Sequence, residues 1–182
     1  MARRSMYGNL VVLIITITLI SHACHAYLAK EKVTKLHFFF HDIFSGDHAT
    51  TVQVAHPQGT VIKPDNSVNF GAVYVLDDPL TEGPDLNSRV IGHAQGFYAS
   101  AGQKELVLVV AFDFGFTSGE FNGSSISVLS RNTVLESERE MAVVGGRGKF
   151  RMARGFAELK TYFFNITSGN AVVEYNITVF HY

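Results

Sequence analysis

Apolar and polar residues alternate along most of the chain after residue 32, in runs separated by clusters of Gly, Pro, Asn, Asp and Ser. Runs of β-branched and aromatic residues with a period of two predict β-strands. The predicted strands are Leu36–Phe44, Thr50–His56, Phe70–Leu76, Val90–Ser100, Glu105–Phe116, Ser125–Arg131, Met141–Val144, Ala153–Phe163 and Ala171–His181. Short connections predict antiparallel neighbours. Because closure removes exposed edges, we predict an all-β, eight-stranded antiparallel β-barrel.

Two connections stand out in this pattern. The longest, from Asp77 to Ser88, contains two prolines and is predicted to be a loop at the rim of a barrel mouth. A Gly-Gly pair directly after Val144 predicts a turn between the seventh and eighth strands.

The period of two also assigns residues to the faces of the strands. Phe38, Phe40 and Asp42 share one face of the first strand. In the fifth predicted strand Phe112 lies on one face and Val109 on the other, and both faces are mostly apolar. A barrel in water needs only one apolar face. The second apolar face therefore predicts a buried subunit interface and a homo-oligomer.

The first 26 residues have the pattern of a secretory signal peptide. Arg3 and Arg4 precede an apolar stretch from Leu10 to Ile20, and small residues around Ala23 and Ala26 follow it. A membrane anchor would need about 20 apolar residues. We therefore predict a signal peptide over residues 1–26, a single barrel domain over residues 27–182, and a secreted, extracellular protein with no membrane partner.

Charge, cysteine content and glycosylation motifs further limit the kinds of protein that this chain could be. The chain has 15 Lys and Arg against 16 Asp and Glu, and loss of Arg3 and Arg4 would leave a net charge of −3 (13 − 16). Such a chain lacks the basic footprint of a nucleic-acid-binding protein. Cys24 is the only cysteine, so no intrachain disulfide can form. Three sequons, at Asn122, Asn165 and Asn176, predict glycosylation on the secretory route.

Candidate chemistry begins with Asp42, because its strand face is otherwise apolar. A carboxyl group in apolar surroundings has a raised pKa and can give or take a proton near neutrality; the alternative is a carboxylate that caps the strand end. His37 and His41 are four residues apart on a strand, about 13 Å, so they cannot share one metal ion. The sequence has no HExxH motif and no dinucleotide fingerprint, so we predict no metal and no cofactor.

Several segments resemble a known family. Residues 145–155, GGRGKFRMARG, and the segment Phe38–Ile43 resemble two signatures of plant dirigent proteins. The segments Ala94–Tyr98, Arg139–Val144 and Glu174–Val179 agree as well, in the same order. The resemblance covers residues 33 to 182 and implies homotrimers of eight-stranded barrels.

The resemblance also implies roles for particular residues. It places Asp42 and Arg139 together in the barrel as catalytic residues, although Arg139 could also be a surface residue among neighbouring glutamates. The predicted substrate-binding residues are Phe38, Phe40, Phe97, Asn132 and Arg154. Asn132 stands where lignan-forming relatives have an aspartate, and the cysteine pair of that subgroup is missing, which puts a two-aspartate mechanism in doubt.

Three functions follow from the resemblance. The first is stereoselective coupling of phenoxy radicals from phenylpropanoid monomers such as coniferyl alcohol, giving lignan-type products, with oxidation supplied by a separate laccase or peroxidase. The second is a dehydratase similar to pterocarpan synthases, which would act on an isoflavanol through a quinone methide. The third is non-catalytic binding of phenolics in the cell wall. The first needs an added oxidase, the second needs none, and the third gives no chiral product.

Overall fold

The structure is a computed structural model that describes residues 11–20, 30–56 and 70–182. The chain divides into two compact units, Met1–Glu31 and Lys32–Tyr182. In the first unit, residues 11–20 are α-helical. No helix within the described ranges is both long and apolar enough to cross a membrane. The signal peptide remains a prediction, and its cleavage site lies outside the described residues.

The second unit consists almost entirely of antiparallel strands. Their bounds are β1 Lys32–Asp42, β2 Thr51–Ala55, β3 Val73–Thr81, β4 Val90–Ser100, β5 Val107–Phe116, β6 Ser125–Thr133, β7 Arg139–Arg147, β8 Arg154–Phe164 and β9 Ala171–His181, with a 3₁₀ turn at Gly148–Phe150 after β7. From β2 to β9 each strand pairs with the next strand along the chain, as their short connections predict.

Two further pairings close the sheet. β1 pairs with β9 along its whole length, from Lys32 opposite His181 to Asp42 opposite Ala171. On its other edge β1 meets β3 through Phe39 opposite Thr81 and Phe40 opposite Leu80. The prediction of an eight-stranded antiparallel β-barrel is confirmed. The ninth strand, β2, lies along the other half of the same edge of β3, from Thr51 opposite Leu76.

Aromatic rings fill the barrel. Phe38 and Phe114 are fully buried and meet edge to face, with ring centroids 5.3 Å apart. Phe38 also stacks on Tyr175 at 5.5 Å, and Phe40 stacks on Phe112 at 5.8 Å. Aromatic pairs at these distances add about 0.5–1.5 kcal/mol each beyond the area that they bury. The interior is therefore a packed aromatic core.

The predicted loop at Asp77–Ser88 was wrong in its first half. β3 continues to Thr81 and pairs with β4 through Asp77 opposite Gln95 and Pro79 opposite His93. The N–H group of Asp77 donates to the Thr50 carbonyl at 3.0 Å. The backbone nitrogens of alternate strand residues face the same edge, so the nitrogen of Pro79 faces the edge of β3 that Asp77 faces. On that edge, Pro79 lies between the residues that pair with β2 and those that pair with β1. A proline can occupy that position without losing a ladder hydrogen bond.

The predicted Gly-Gly turn after Val144 was also wrong. β7 runs on through Gly145 and Gly146, which pair with Ser127 and Ile126 of β6. A side chain at position 146 would come within 2.5 Å of the Phe150 carbonyl oxygen. Glycine is needed at 146 because the following 3₁₀ turn packs directly against the strand.

Candidate active site

Two aspartates lie at one end of the barrel interior. Asp42 is the last residue of β1, and Asp78 lies in β3 with no exposed surface. Asp78 accepts hydrogen bonds from the hydroxyl groups of Thr50 and Thr51, the latter at 3.2 Å. Asp42 accepts one from the Tyr98 hydroxyl at 3.3 Å, while its Oδ1 atom is buried without a hydrogen-bond partner. An unpaired buried acceptor is costly unless it carries a proton or meets a ligand.

Burial keeps both carboxyl groups protonated to unusually high pH. It raises the pKa of Asp42, an effect that the nearby hydroxyls of Thr51 and Tyr98 oppose only in part. Burial, together with the charge of Asp42, raises the pKa of Asp78 to about 8. Two carboxylates that share a dry site cannot both ionise cheaply. At neutral pH the pair therefore holds at least one proton that it can donate.

A second polar group is built on β7. Arg139, which begins that strand, points inward and is buried. Its guanidinium donates to Asn132 Oδ1 at 3.2 Å and to Thr161 Oγ1 at 2.7 Å. Burial lowers its pKa, while Tyr175 and Glu136 raise it. The Nε atom of Arg139 is buried without a partner, which leaves one N–H group available to an incoming ligand.

Tyr175 of β9 connects the two groups. The charges of Arg139, Asp42 and Asp78 all act on its phenol, although burial is the main reason why its pKa is raised. The carboxyl pair, the phenol and the guanidinium thus lie within electrostatic reach of one another. We call this group the polar cluster; its members are Asp42, Asp78, Asn132, Arg139 and Tyr175. Such a cluster can transfer a proton at one point and stabilise a negative oxygen at another.

The structure brings together most of the predicted site residues. Asp42, Arg139 and Asn132 lie in the polar cluster, and Phe38 and Phe40 form part of the core directly beneath it.

Phe97 and Arg154 lie elsewhere. Phe97 is 49% exposed on the outer face of β4, because the inward positions of that strand belong to its neighbour Tyr98 and residues of the same parity. Arg154 begins β8 at the opposite end of the barrel, where its guanidinium covers the Phe180 ring at 5.6 Å.

Sequence reasoning missed Asp78, Tyr98 and Tyr175. The strand parity could have found the two tyrosines, since each alternates with buried apolar residues. Asp78 falls in the predicted loop because the segment from Asp77 to Ser88 contains two prolines, which are typical of loops. Only the pairing of β3 with β4 shows that Asp78 faces inward while Asp77 faces outward.

Two surface cavities lie outside this cluster. One, of about 410 Å³, is lined by residues that include Asp77, His93 and Arg147; the other, of about 210 Å³, lies near Leu36 and Phe121. Neither includes the carboxyl pair or Arg139. We locate the chemistry at the polar cluster because it contains the two acid groups and two buried atoms without a hydrogen-bond partner, Asp42 Oδ1 and Arg139 Nε. Within the described parts of the chain, no three His, Cys, Asp or Glu side chains are grouped as metal ligands.

A family model for dirigent-like proteins matches residues 33–180, which is almost the whole barrel. The chain belongs to the dirigent protein family. Pterocarpan synthase 1 of Glycyrrhiza echinata is 50% identical over 154 residues, which cover 84% of this chain and 80% of the relative. Dirigent protein 21 of Arabidopsis thaliana is 51% identical over 151 residues, covering 83% and 78%.

The fold agrees with a solved dirigent structure. The pterocarpan synthase dirigent protein GePTS1 superimposes with a TM-score of 0.79 at 49% identity, over 85% of this chain and 88% of that one. The resemblance noted in the sequence is thereby confirmed. The dirigent match contains every residue of the polar cluster, from Asp42 to Tyr175.

Proposed function

We propose that this dirigent protein acts on phenolic alcohols and promotes loss of water from a substrate of the isoflavanol class, through a quinone methide. The observation that carries the proposal is the pair of buried carboxyl groups, Asp42 and Asp78, which retains a proton at neutral pH. Support also comes from the similarity to pterocarpan synthases in sequence and in fold.

The reaction needs one acid and one stabilised oxygen. A carboxylic acid of the pair donates a proton to the leaving hydroxyl, the carbon–oxygen bond breaks, and water departs. The phenol conjugated with that carbon gives up its own proton, so the product is a neutral quinone methide. A second phenolic hydroxyl of the same molecule then adds to the carbon and closes a ring. Its proton goes to the quinone methide oxygen, which becomes a phenol again, and the proton released by the first phenol restores the carboxylic acid. The net change is loss of one water molecule, and no oxidant is needed.

Arg139 is suited to the phenolic oxygen. Asn132 and Thr161 hold its guanidinium in place, and its Nε–H group has no other partner. A positive group that is fixed before the reaction stabilises developing negative charge without reorganisation.

Coupling of phenoxy radicals is the second candidate. The observation that favours it is Dirigent protein 21, which is as similar to this chain as the pterocarpan synthase is. The same barrel could orient two radicals of coniferyl alcohol while a separate laccase or peroxidase performs the oxidation; positioning alone would then set the stereochemistry. A binder of phenolics without catalytic activity is the remaining outcome.

One experiment separates these functions. The barrel domain is incubated with a racemic isoflavanol alone, and separately with coniferyl alcohol plus laccase, and the products are resolved by chiral chromatography. We expect ring closure without oxidase, and a loss on the order of 10²-fold or more in Asp42→Asn, whose amide cannot supply the proton. Enantiomeric excess only in the laccase reaction would favour radical coupling. No ring closure above the rate without protein, together with racemic product in the laccase reaction, would leave a binding function and refute the proposed chemistry.

We further propose that the barrel assembles as a homotrimer. An apolar outer belt crosses five neighbouring strands at Val52, Val75, Phe97, Ala111 and Leu129, which are paired directly across the sheet. Val75, Phe97 and Leu129 are between 42% and 53% exposed. A continuous apolar belt of this kind is typical of a subunit interface.

Secretion and glycosylation complete the proposal, with the apoplast or cell wall as the location. Asn122 and Asn165 lie exposed in turns, where an attached glycan would meet no neighbouring strand. Asn176 is also exposed but lies in the middle of β9, paired with both β1 and β8. The two turn positions are therefore the better acceptors.

A further inference from the structure

The loop that leaves Asp42 is tied to the hairpin between β8 and β9. The side-chain oxygen of Asn170 accepts the backbone N–H groups of Phe44 at 2.9 Å and of Ser45 at 3.1 Å. Its Nδ2 group donates to the Ser45 carbonyl at 3.4 Å, and the Ser45 hydroxyl donates to the Ser168 carbonyl at 3.0 Å. Phe44 also packs closely over Gly169. One amide side chain thus joins segments that are 125 residues apart in sequence.

The same loop is connected to the carboxyl pair by two routes, and the first runs through Ile43 to Asp78. The Ile43 carbonyl accepts the N–H groups of Thr50 at 2.8 Å and of Thr51 at 3.1 Å, and the hydroxyl groups of these threonines bind Asp78.

From Phe44 a chain of rings leads back to Asp42. The Phe44 ring packs on Tyr74 at 5.1 Å, Tyr74 packs on Tyr98 at 5.0 Å, and Tyr98 donates to Asp42. Both routes begin within two residues of the Asn170 contacts.

We propose that Asn170 is a positioning residue for the carboxyl pair: it fixes the loop that leaves Asp42, and so keeps Asp42 and Asp78 dry and packed against their hydroxyl partners. Asn170 takes no part in proton transfer. The inference rests on the proposed acid role only in its consequence for activity, since the geometry stands without it. Besides each other, the ionisable groups that act on the pair are Tyr98, Tyr175 and the exposed Asp77, with Arg139 beyond Tyr175.

Asn165 provides a matched control. It lies in the same hairpin, and its Oδ1 atom accepts two backbone N–H groups, from Thr167 at 2.9 Å and Ser168 at 3.1 Å. These are the same number and lengths of bonds as Oδ1 of Asn170 makes, but they stay within the hairpin. Asn165→Ala therefore removes a comparable local interaction without releasing the loop at Asp42.

The test is a ¹³C NMR titration of the aspartate carboxyl carbons in unglycosylated protein produced in bacteria. In Asn170→Ala, we expect the titration midpoints of Asp42 and Asp78 to fall by about one pH unit or more, because water reaches the released site. Asn165→Ala should leave both midpoints where the wild type has them. Asn170→Asp keeps the acceptor oxygens and adds a negative charge, so neither midpoint should fall.

Activity is measured on the same variants. A fall of the midpoints in Asn170→Ala, with no activity of any variant on a phenolic substrate, would support the positioning role and count against the proposed function. Equal midpoints in Asn170→Ala and Asn165→Ala would overturn the positioning role whatever the activity. If Asn170→Ala does not fold, Ser45→Ala removes only the bond to Ser168 and should lower the midpoints in the same direction by a smaller amount; unchanged midpoints in that variant would then overturn the proposal.

Discussion

Replacing Asp78 by asparagine tests whether the barrel holds this carboxyl in its protonated form. Asparagine has nearly the same shape, can accept from Thr50 as the carboxyl does, and can donate to the Thr51 hydroxyl. It is neutral at every pH. The substitution therefore removes the titration of one buried group and leaves the packing in place.

The magnitude follows from the pKa values. The pKa of Asp78 is 3.8 in a model peptide and about 8 in the folded protein, so the folded state holds its proton to higher pH than the unfolded chain does. Stability from this group is therefore fully present below pH 4 and is lost as pH rises towards 8. Between pH 5 and pH 7 the loss is on the order of 2–3 kcal/mol, at 1.36 kcal/mol per pKa unit. For a chain of this size that is about 5–10 °C in melting temperature.

The assay is thermal unfolding, followed by circular dichroism at intervals from pH 5 to pH 8. We expect the melting temperature of Asp78→Asn to lack the fall that ionisation of Asp78 causes in the wild type. The difference in melting temperature, variant minus wild type, should therefore increase as pH rises. Catalysis should fall at the same time, because the variant lacks a proton donor of the pair. Asp113→Asn is the control: this carboxyl lies on the outer face of β5, where it accepts from Ser127 at 2.9 Å.

If the melting temperatures of the wild type and Asp78→Asn changed by the same amount between pH 5 and pH 8, the reasoning would be refuted. Equal changes would mean that the carboxyl ionises at an ordinary pH, and the acid step would lose its physical basis. A gain shown equally by Asp113→Asn would point instead to a general effect of net charge.

Two further predictions concern the assembly and the processing of the chain. Phe97→Ser, in the middle of the outer belt, should shift the barrel from trimer to monomer in light scattering at micromolar concentration. Tyr162→Ser, at an exposed position of β8 outside that belt, should leave the trimer intact. A monomeric wild type would contradict the proposed trimer. N-terminal sequencing of the extracellular protein should show that it begins near Tyr27, and an intact Met1 would contradict secretion. The wild-type protein should lose mass on deglycosylation, and replacing both Asn122 and Asn165 should abolish that loss.

Local patterns in the sequence were sufficient for the fold. The alternation of apolar and polar residues and the short connections were enough to predict a closed antiparallel barrel, because both act over a few neighbouring residues. The same parity placed Phe38, Phe40 and Asp42 on the inner face. The family signatures led to Arg139 and Asn132, and the structure brings these two side chains into contact.

Tertiary structure alone decided the rest. Asp78 becomes part of the site only because β3 continues past its Asp-Asp pair, which happens where the edge of that strand is shared between β1 and β2. The raised pKa of the pair is a property of burial, and the hydroxyl groups that contact the pair come from distant parts of the chain, from Thr50 and Thr51 on one side and Tyr98 on the other. A sequence pattern records which residues alternate along a strand, whereas desolvation and hydrogen bonding depend on which strands meet.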